Sequence, residues 1–461
     1  MSHLTPLLPK TARLDRMLLA VLLVGLLVRG TILWQYRDTL IRDDDNYGEI
    51  ATNLRQHLVF GLGQQPVTPT AFRPPLYPLL LAGTMIHENI TPLQVGVLHL
   101  LLGLLTILLV YQLARQYRLP RAAPLAALLV AIDPILLYQS TRIMTETLAT
   151  LLTVAALYCL SRLNQQRHWT TALGSGCVLG LSILCRPTFL VWLILCLLAV
   201  VALEPKWRKR WQLGGALLGG AVLIVAPWTI RNMVQFNRPI ALTTHGGYTL
   251  LLGNNPIFYQ HLQQQPWGSV WQSKEVDRFK QGLKKMRPDG DPTRDYWSPS
   301  TVPEPADTRS TTEYERDRFS YRVARHQISQ QPKMFLLASL VKVGRLWSPL
   351  PHQIDPAESN RGRWVRYLIA SWYAASYLLA LVGLYRLRGQ ILRRPWLWGL
   401  LLVITLTAVH TLFWSNIRMR APLVPWIALL VAAACCGEAA EARQPGASEA
   451  STDTPKTDLK S

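Results

Sequence analysis

The sequence predicts an all-α integral membrane protein, and three observations predict it. Apolar runs of about 17–25 residues, long enough to cross a bilayer as helices, recur along the chain. Half of the 461 residues are hydrophobic and only 16% are charged, a balance foreign to soluble globular proteins. Lys and Arg fall in short clusters between the runs and form no single stripe, the pattern that orients a membrane protein. The formal charge of +21 therefore reads as topology signals. No nucleic-acid reader motif accompanies it, so nucleic acid is not an expected partner.

Taken in order, residues 1–16 are a cytoplasmic N-terminus carrying Lys10, Arg13 and Arg16. No small-residue cleavage pattern follows, so the first apolar run is an uncleaved helix. Crossings are expected near 17–36, 93–114, 121–139, 144–163, 171–185, 187–203, 211–230, 366–385, 396–415 and 420–437. That makes a bundle of about ten (10–12) transmembrane helices. Residues 17–230 form an N-terminal transmembrane module with a first outer loop at 37–92, and 366–437 form the C-terminal helices. Between them, 231–365 is too long for a plain connection and reads as a small outward subdomain resting on the bundle. Its charged stretch from Thr311 to Gln331 is helical, and 333–350 is an interfacial or re-entrant helix. Counting that last segment as a crossing would put the Arg386–Arg394 cluster on the wrong side. The tail at 438–461, rich in Ala, Glu, Ser, Thr and Asp, reads as disordered and cytoplasmic.

Orientation follows from the positive clusters. Lys10/Arg13/Arg16, Arg115/Arg118/Arg121, Arg162/Arg167, Lys206/Arg208/Lys209/Arg210 and Arg386/Arg388/Arg393/Arg394 share one side, which is cytoplasmic. The loop at 43–45, the 138–146 turn, the Arg186 turn, residues 231–365 and 415–420 then face outward, to the periplasm or exterior of the cytoplasmic (inner) membrane. The six cysteines lie in or beside apolar runs without metal-ligand spacing, so they read as buried structural thiols.

The outward side gathers the chemistry. Asp43-Asp44-Asp45 directly follows the first crossing, and adjacent carboxylates need water, a cation or a proton. Arg73 precedes a proline pair and Glu146 opens a helix. Arg186 stands before a helix-breaking proline at a depth where a charge is costly. His245, Asn254, Arg418 and Arg420 complete the set. Acids from the first loops and arginines from scattered loops suit a reaction on a phosphorylated lipid at the membrane surface: a carboxylate serves as base, and arginines stabilise a phosphate. Each residue also has a bland reading. The Asp run could be a solvated cap or a weak divalent-metal site at Asp43, Asp44 and Asp45, and Glu146 a helix-dipole acid. Arg73 could fix a turn, and His245 and Asn254 could form turns. Arg186 could sit in a structural ion pair, while Arg418 and Arg420 could snorkel to the interface.

The run Asp43-Asp44-Asp45-Asn46-Tyr47-Gly48-Glu49-Ile50-Ala51-Thr52-Asn53-Leu54 resembles the first outer loop of polytopic GT-C glycosyltransferases. These are the bacterial relatives of protein O-mannosyltransferases and the lipid A aminoarabinose transferase. Phe72-Arg73-Pro74-Pro75-Leu76-Tyr77-Pro78 is similar to the family's Arg-Pro-Pro-x-Tyr-Pro element, and Thr145-Glu146-Thr147 to its Ser/Thr-Glu-Thr helix start. Gly253-Asn254-Asn255-Pro256 and Arg418-Met419-Arg420-Ala421-Pro422 resemble two further landmarks. The resemblance implies a GT-C-type bundle and an inverting transferase. It would take a polyprenyl-phosphate-linked sugar and an unknown hydroxyl acceptor (protein, lipid or glycan) among membrane lipids. The spacing to Tyr47 implies Asp43 as base, with Asp44 as the fallback, because Asp44 and Asp45 depart from the family pattern. No cofactor is implied beyond the candidate divalent metal. A polytopic transporter or lipid flippase is the competing class; it predicts broken helices in repeated halves, whereas here the acids sit in loops.

Overall fold

The computed structural model describes residues 16–266, 269, 271, 274–283, 293, 297, 312–352 and 358–436. The readings of residues 1–15 and of the 438–461 tail lie outside the described residues. The described chain is almost entirely helical. Its one sheet is a two-stranded hairpin, β1 (Gly61–Leu62) with β2 (Thr68–Pro69), paired antiparallel.

The N-terminal half runs α1 (Arg16–Gln35), α2 (Tyr47–His57), the hairpin, α3 (Leu76–Thr84), α4 (Pro92–Gln116), α5 (Ala123–Ala131), α6 (Pro134–Gln139) and α7 (Glu146–Gln166). It continues with α8 (Trp169–Cys185), α9 (Phe189–Leu203) and α10 (Trp207–Phe236). Then come α11 (Gly246–Leu252), α12 (Pro256–Gln264), α13 (Lys274–Leu283), α14 (Glu313–Gln330) and α15 (Pro332–Trp347). The chain returns through α16 (Asn360–Arg386) and α17 (Trp396–Leu412) to a 3-10 stretch, Ile417–Leu423, that leads into α18 (Val424–Cys436).

Among the described residues, six helical segments are long and apolar enough to cross a membrane: α1, α4, α7, α10, α16 and Ile417–Cys436. Three shorter apolar helices, α8, α9 and α17, accompany them. The outer surfaces of α1, α10 and α16 leave Leu23, Leu27, Val222, Leu223, Leu368 and Leu381 exposed. A protein in water would not leave such a belt bare, but lipid is its natural solvent. By contrast α18, built of Ala, Leu and Val, is buried on nearly every side and forms the axis of the C-terminal part. Where α8 crosses α10 there is no room for side chains: a Cβ added at Gly176 would sit 2.0 Å from the Leu217 carbonyl oxygen. Small residues allow this close backbone approach in membranes.

Two expectations are corrected. The crossing read at 121–139 is not one helix. Pro134 has no N–H to continue α5, and the Asp133 carboxylate accepts the Leu136 N–H at 3.0 Å, starting α6 afresh. The final crossing does not begin as an α-helix either, because Pro422 keeps Ile417–Leu423 in a 3-10 path. The segment read as interfacial is α15, 16 residues long and packed on α17. The helix read from Thr311 to Gln331 is α14, closed at its start by a Thr312–Glu315 capping box.

The clusters expected on the cytoplasmic side meet at one end of the bundle. Arg167 faces Glu204 at 3.8 Å, Arg394 donates to the Ala199 carbonyl at 3.3 Å, and Tyr117 donates to the Pro395 carbonyl at 3.1 Å. The acidic first loop gathers its partners separately, as follows.

Candidate active site

Asp43 is placed by the start of α2. Asn46, in a left-handed conformation, offers no side-chain cap. Asp43 supplies it from outside the helix: its Oδ1 accepts the Tyr47 N–H at 2.8 Å and its Oδ2 the Glu49 N–H at 2.9 Å. An anion at a helix N-terminus is held by the free N–H groups and the helix dipole. Two such bonds still leave the carboxylate capacity to accept another proton donor. Burial pushes the Asp43 carboxyl above the ordinary carboxylate range, and the charge of Asp45 adds to the rise, while the backbone bonds to Glu49, Tyr47 and Gly48 oppose it.

The three aspartates then part company. Asp44 turns to the exposed flank, paired with Arg42 at 2.8 Å and Arg142 at 3.0 Å. Asp45 turns inward. Arg73 donates through Nη2 to its Oδ1 and through Nε to its backbone carbonyl, both at 2.7 Å, while Arg418 approaches Oδ2 at 3.4 Å. Arg73 is in turn flanked by the Tyr47 and Phe72 rings, 5.2 and 4.6 Å from its guanidinium carbon, and meets His245 Nε2 at 3.1 Å. The Phe72 and His245 rings stand edge to face with centroids 4.5 Å apart.

Arg418 links this group to a second one. Its Nε lies 3.6 Å from Glu146 Oε1, and the same oxygen lies 3.5 Å from Arg186 Nη1. Glu146, 2% exposed, sits at the first position of α7, where the dipole favours its charge. Arg186 is held by the break between α8 and α9 before Pro187 and donates to Met419 Sδ. These pairs are ionic but not hydrogen-bonded: Glu146 Oε2, Arg186 Nη1 and Arg418 Nε are buried without a hydrogen-bond partner. Two cations that share one Glu146 oxygen, beside the Asp45–Arg73 pair, gather three guanidinium groups around two carboxylates.

Of the residues read from sequence, the structure brings together Arg73, Glu146, Arg186, His245 and Arg418, while Asp43 caps α2 two residues before Asp45. Asp44 is set on the flank. Asn254 and Arg420 stand elsewhere. Asn254 is fully buried and donates to the Leu250 and Leu412 carbonyls at 2.7 and 2.8 Å, while Lys342 Nζ reaches its Oδ1 at 3.2 Å. It pins α11 to the end of α17. Arg420, also fully buried, stacks on Tyr373 at 4.2 Å and donates to the Leu346 and Ser348 carbonyls. The metal reading is corrected too. Each of Asp43, Asp44 and Asp45 is claimed by different partners, and among the described residues no three His, Cys, Asp or Glu side chains converge as a metal would require. The residues present do not fit a metal held by the three aspartates. Sequence reasoning names Asp45 only as a candidate metal ligand, whereas in the structure it pairs with Arg73 and Arg418. The same reasoning missed Arg142, Glu313 and Asp317; only the Thr312–Glu315 capping signal pointed near the last two.

One family match agrees with the resemblance drawn from the Arg73-Pro74-Pro75 and Thr145-Glu146-Thr147 elements. The family described as dolichyl-phosphate-mannose-protein mannosyltransferase matches over residues 72–230, which include Arg73, Glu146 and Arg186. No curated protein matches the chain. Among solved structures, the Archaeoglobus fulgidus oligosaccharyltransferase in its complex with Zn and sulfate is similar at 16% identity and a TM-score of 0.48, covering 91% of this chain and 48% of that one. Its apo form gives 17%, 0.49, 90% and 50%. ArnT from Cupriavidus metallidurans bound to undecaprenyl phosphate gives 16%, 0.43, 90% and 77%. The chain spans about half the length of the archaeal oligosaccharyltransferase. The mannosyltransferase match together with the apolar helices supports a multi-pass membrane glycosyltransferase.

Proposed function

We propose that the protein transfers a sugar from a polyprenyl-phosphate donor to a hydroxyl acceptor at the outer face of the cytoplasmic membrane, with inversion and with Asp43 as base. The observation that carries this reading is the joining of Asp45 and Glu146 by Arg73, Arg186 and Arg418, delivered by five separate segments, with Asp43 two residues before Asp45. A polyprenyl phosphate leaves as an anion that needs no proton but does need cations. The gathered guanidinium groups of Arg73, Arg186 and Arg418 suit its charge. The acceptor hydroxyl needs a base within hydrogen-bond reach, and a desolvated carboxylate of raised pKa is a stronger base than an ordinary one. Asp43 meets this description, whereas Asp44 is engaged by arginines on the exposed side. The orientation rests on the positive clusters at the opposite end, which favour a cytoplasmic placement. The match to a mannosyltransferase family favours a hexose-type donor.

The test is Asp43→Asn in purified, membrane-reconstituted protein, with transfer followed from polyprenyl-phosphate sugars. Loss of a base lowers turnover by about 10²–10⁴-fold, and undecaprenyl phosphate binding should persist. Full activity in that variant would remove Asp43 from the role.

A further inference from the structure

Helix α14 grips both loops from which Arg73 and His245 project. At its first turn the Glu313 carboxylate accepts the Thr70 hydroxyl and the Ala71 N–H, both at 2.6 Å. One helical turn further, Asp317 Oδ1 accepts the Gly247 N–H at 2.6 Å. Residues four apart lie on one helix face, so a single face of α14 holds residues 70–71 with one carboxylate and residue 247 with the other. Arg73 stands two residues past the first grip and His245 two residues before the second, and their side chains meet at 3.1 Å.

The glycines of the second loop fit this contact. A Cβ added at Gly247 would lie 2.1 Å from the Asp317 carbonyl oxygen, and one at Gly246 would lie 2.1 Å from the Tyr321 hydroxyl. Only residues without a side chain let α11 start against α14 this closely. Behind the contact, Phe319, Val323 and Ala324 of α14 pack with Leu250 and Leu251 of α11 in a separate small core. The first loop is braced from its other side, where Arg231 donates to the Thr70 and Phe60 carbonyls at 2.9 and 3.1 Å. Burial pushes the Asp317 carboxyl up to about 6, so the grip is made at a desolvation cost that a plain surface helix would not carry.

We infer that Glu313 and Asp317 are positioning residues: α14 is a two-point clamp that sets Arg73 against His245, and thereby sets the phosphate-facing guanidinium. The phosphate part of this statement rests on the functional reading above; the clamp does not.

Two measurements on the full chain in nanodiscs separate them. The first is amide hydrogen exchange. Charge-assisted bonds of this kind stabilise a closed loop enough that their loss speeds local opening by about tenfold or more. Glu313→Ala should therefore speed exchange over 68–73, and Asp317→Ala over 245–250, with exchange in α7 unchanged. Glu313→Gln, which keeps one acceptor oxygen, should give a smaller effect on the first loop. Unchanged exchange in either loop overturns the clamp, and a rise throughout the protein assigns α14 a general folding role instead, which also overturns it. The second measurement is undecaprenyl phosphate affinity in wild type, Glu313→Ala, Arg73→Ala and the double variant. A residue acting through Arg73 weakens binding several-fold alone and adds nothing once Arg73 is gone. Equal losses in both backgrounds overturn the positioning role. If Arg73→Ala binds like wild type while exchange responds as stated, the donor reading fails and the clamp stands.

Discussion

Arg418 and Arg420 lie one residue apart on the same 3-10 stretch and occupy two different kinds of environment. Arg418 faces the acid–arginine cluster and pairs with acids from two other segments. Arg420 points the other way, into the bundle. Its guanidinium lies over Tyr373 and Tyr377, and Tyr373 donates to both oxygens of Asp133 at 2.9 and 3.0 Å. The first arrangement joins two acids from segments far apart in sequence through one guanidinium. The second sets a fully buried charge against rings and backbone carbonyls, with no acid among the described residues in an ion pair with it, and ties the 3-10 stretch to α16 and the end of α15. A buried charge in a membrane protein is a functional candidate by default. The pair teaches that the default is decided by what the charge touches, since depth and residue type are shared.

The comparison breaks most readily at Arg420. Arg420→Ala removes a cation wedged between two tyrosine rings and strands the Leu346 and Ser348 carbonyls. Stranded groups and a cavity together cost on the order of 3 kcal/mol, so folded, detergent-stable protein should fall sharply. Wild-type yield and transition temperature in that variant would undo the structural reading. Arg418→Gln should do the opposite. Its fold should hold, and transfer should drop by about 10²-fold, the usual consequence of losing one donor to a developing anion. Variants that are equally unstable, or equally inactive while stable, would erase the contrast.

These two residues also mark how far the sequence could be read. Apolar run length and positive clusters locate most of the helices and both ends of the bundle, because membrane thickness and charge bias act on composition and need no tertiary information. Asp133-Pro134 escaped that reading, since its apolar surroundings look continuous to a hydropathy window while the proline and the capping aspartate act on single hydrogen bonds. At the site, Arg73, Glu146 and Arg186 were legible because each stands beside a proline or a helix start where an idle charge is conspicuous. Arg420 and Asn254 were read alongside Arg418 because they share short motifs with exposed-side residues. Which way a side chain turns on a 3-10 stretch, or that Asn254 meets Lys342 and not the site, depends on helices more than 70 residues away in the chain. The same limit hid the arginine partners of Asp45, and it hid Glu313, whose partners are Thr70 and Ala71.

A milder probe is pH. Asp43 must be ionised to act as a base, and its carboxyl holds its proton to higher pH than an ordinary aspartate, near 3.9. The rate therefore falls as pH falls through that raised value, and the acid limb of kcat/KM should lie above the usual aspartate range. A profile flat down to about pH 4 would mean that no desolvated carboxylate limits the reaction.

The smallest effect is expected at the neighbouring carboxylate, and it is the sharpest discriminator within the Asp run. Asp44 is the one member of the three whose bonds all run to the exposed flank, to Arg42 and Arg142. Exposed ion pairs contribute little because water and salt already satisfy both charges. Asp44→Asn should therefore leave the transition temperature unchanged and transfer within about twofold of wild type. The comparison with Asp43→Asn then isolates position from charge, because the two substitutions remove the same negative charge from adjacent residues. A uniform loss in both would mean that the loop acts through its summed charge, steering a cationic acceptor or a metal from outside. A loss confined to Asp43 places the chemistry at the one carboxylate that caps α2 and keeps room for a proton.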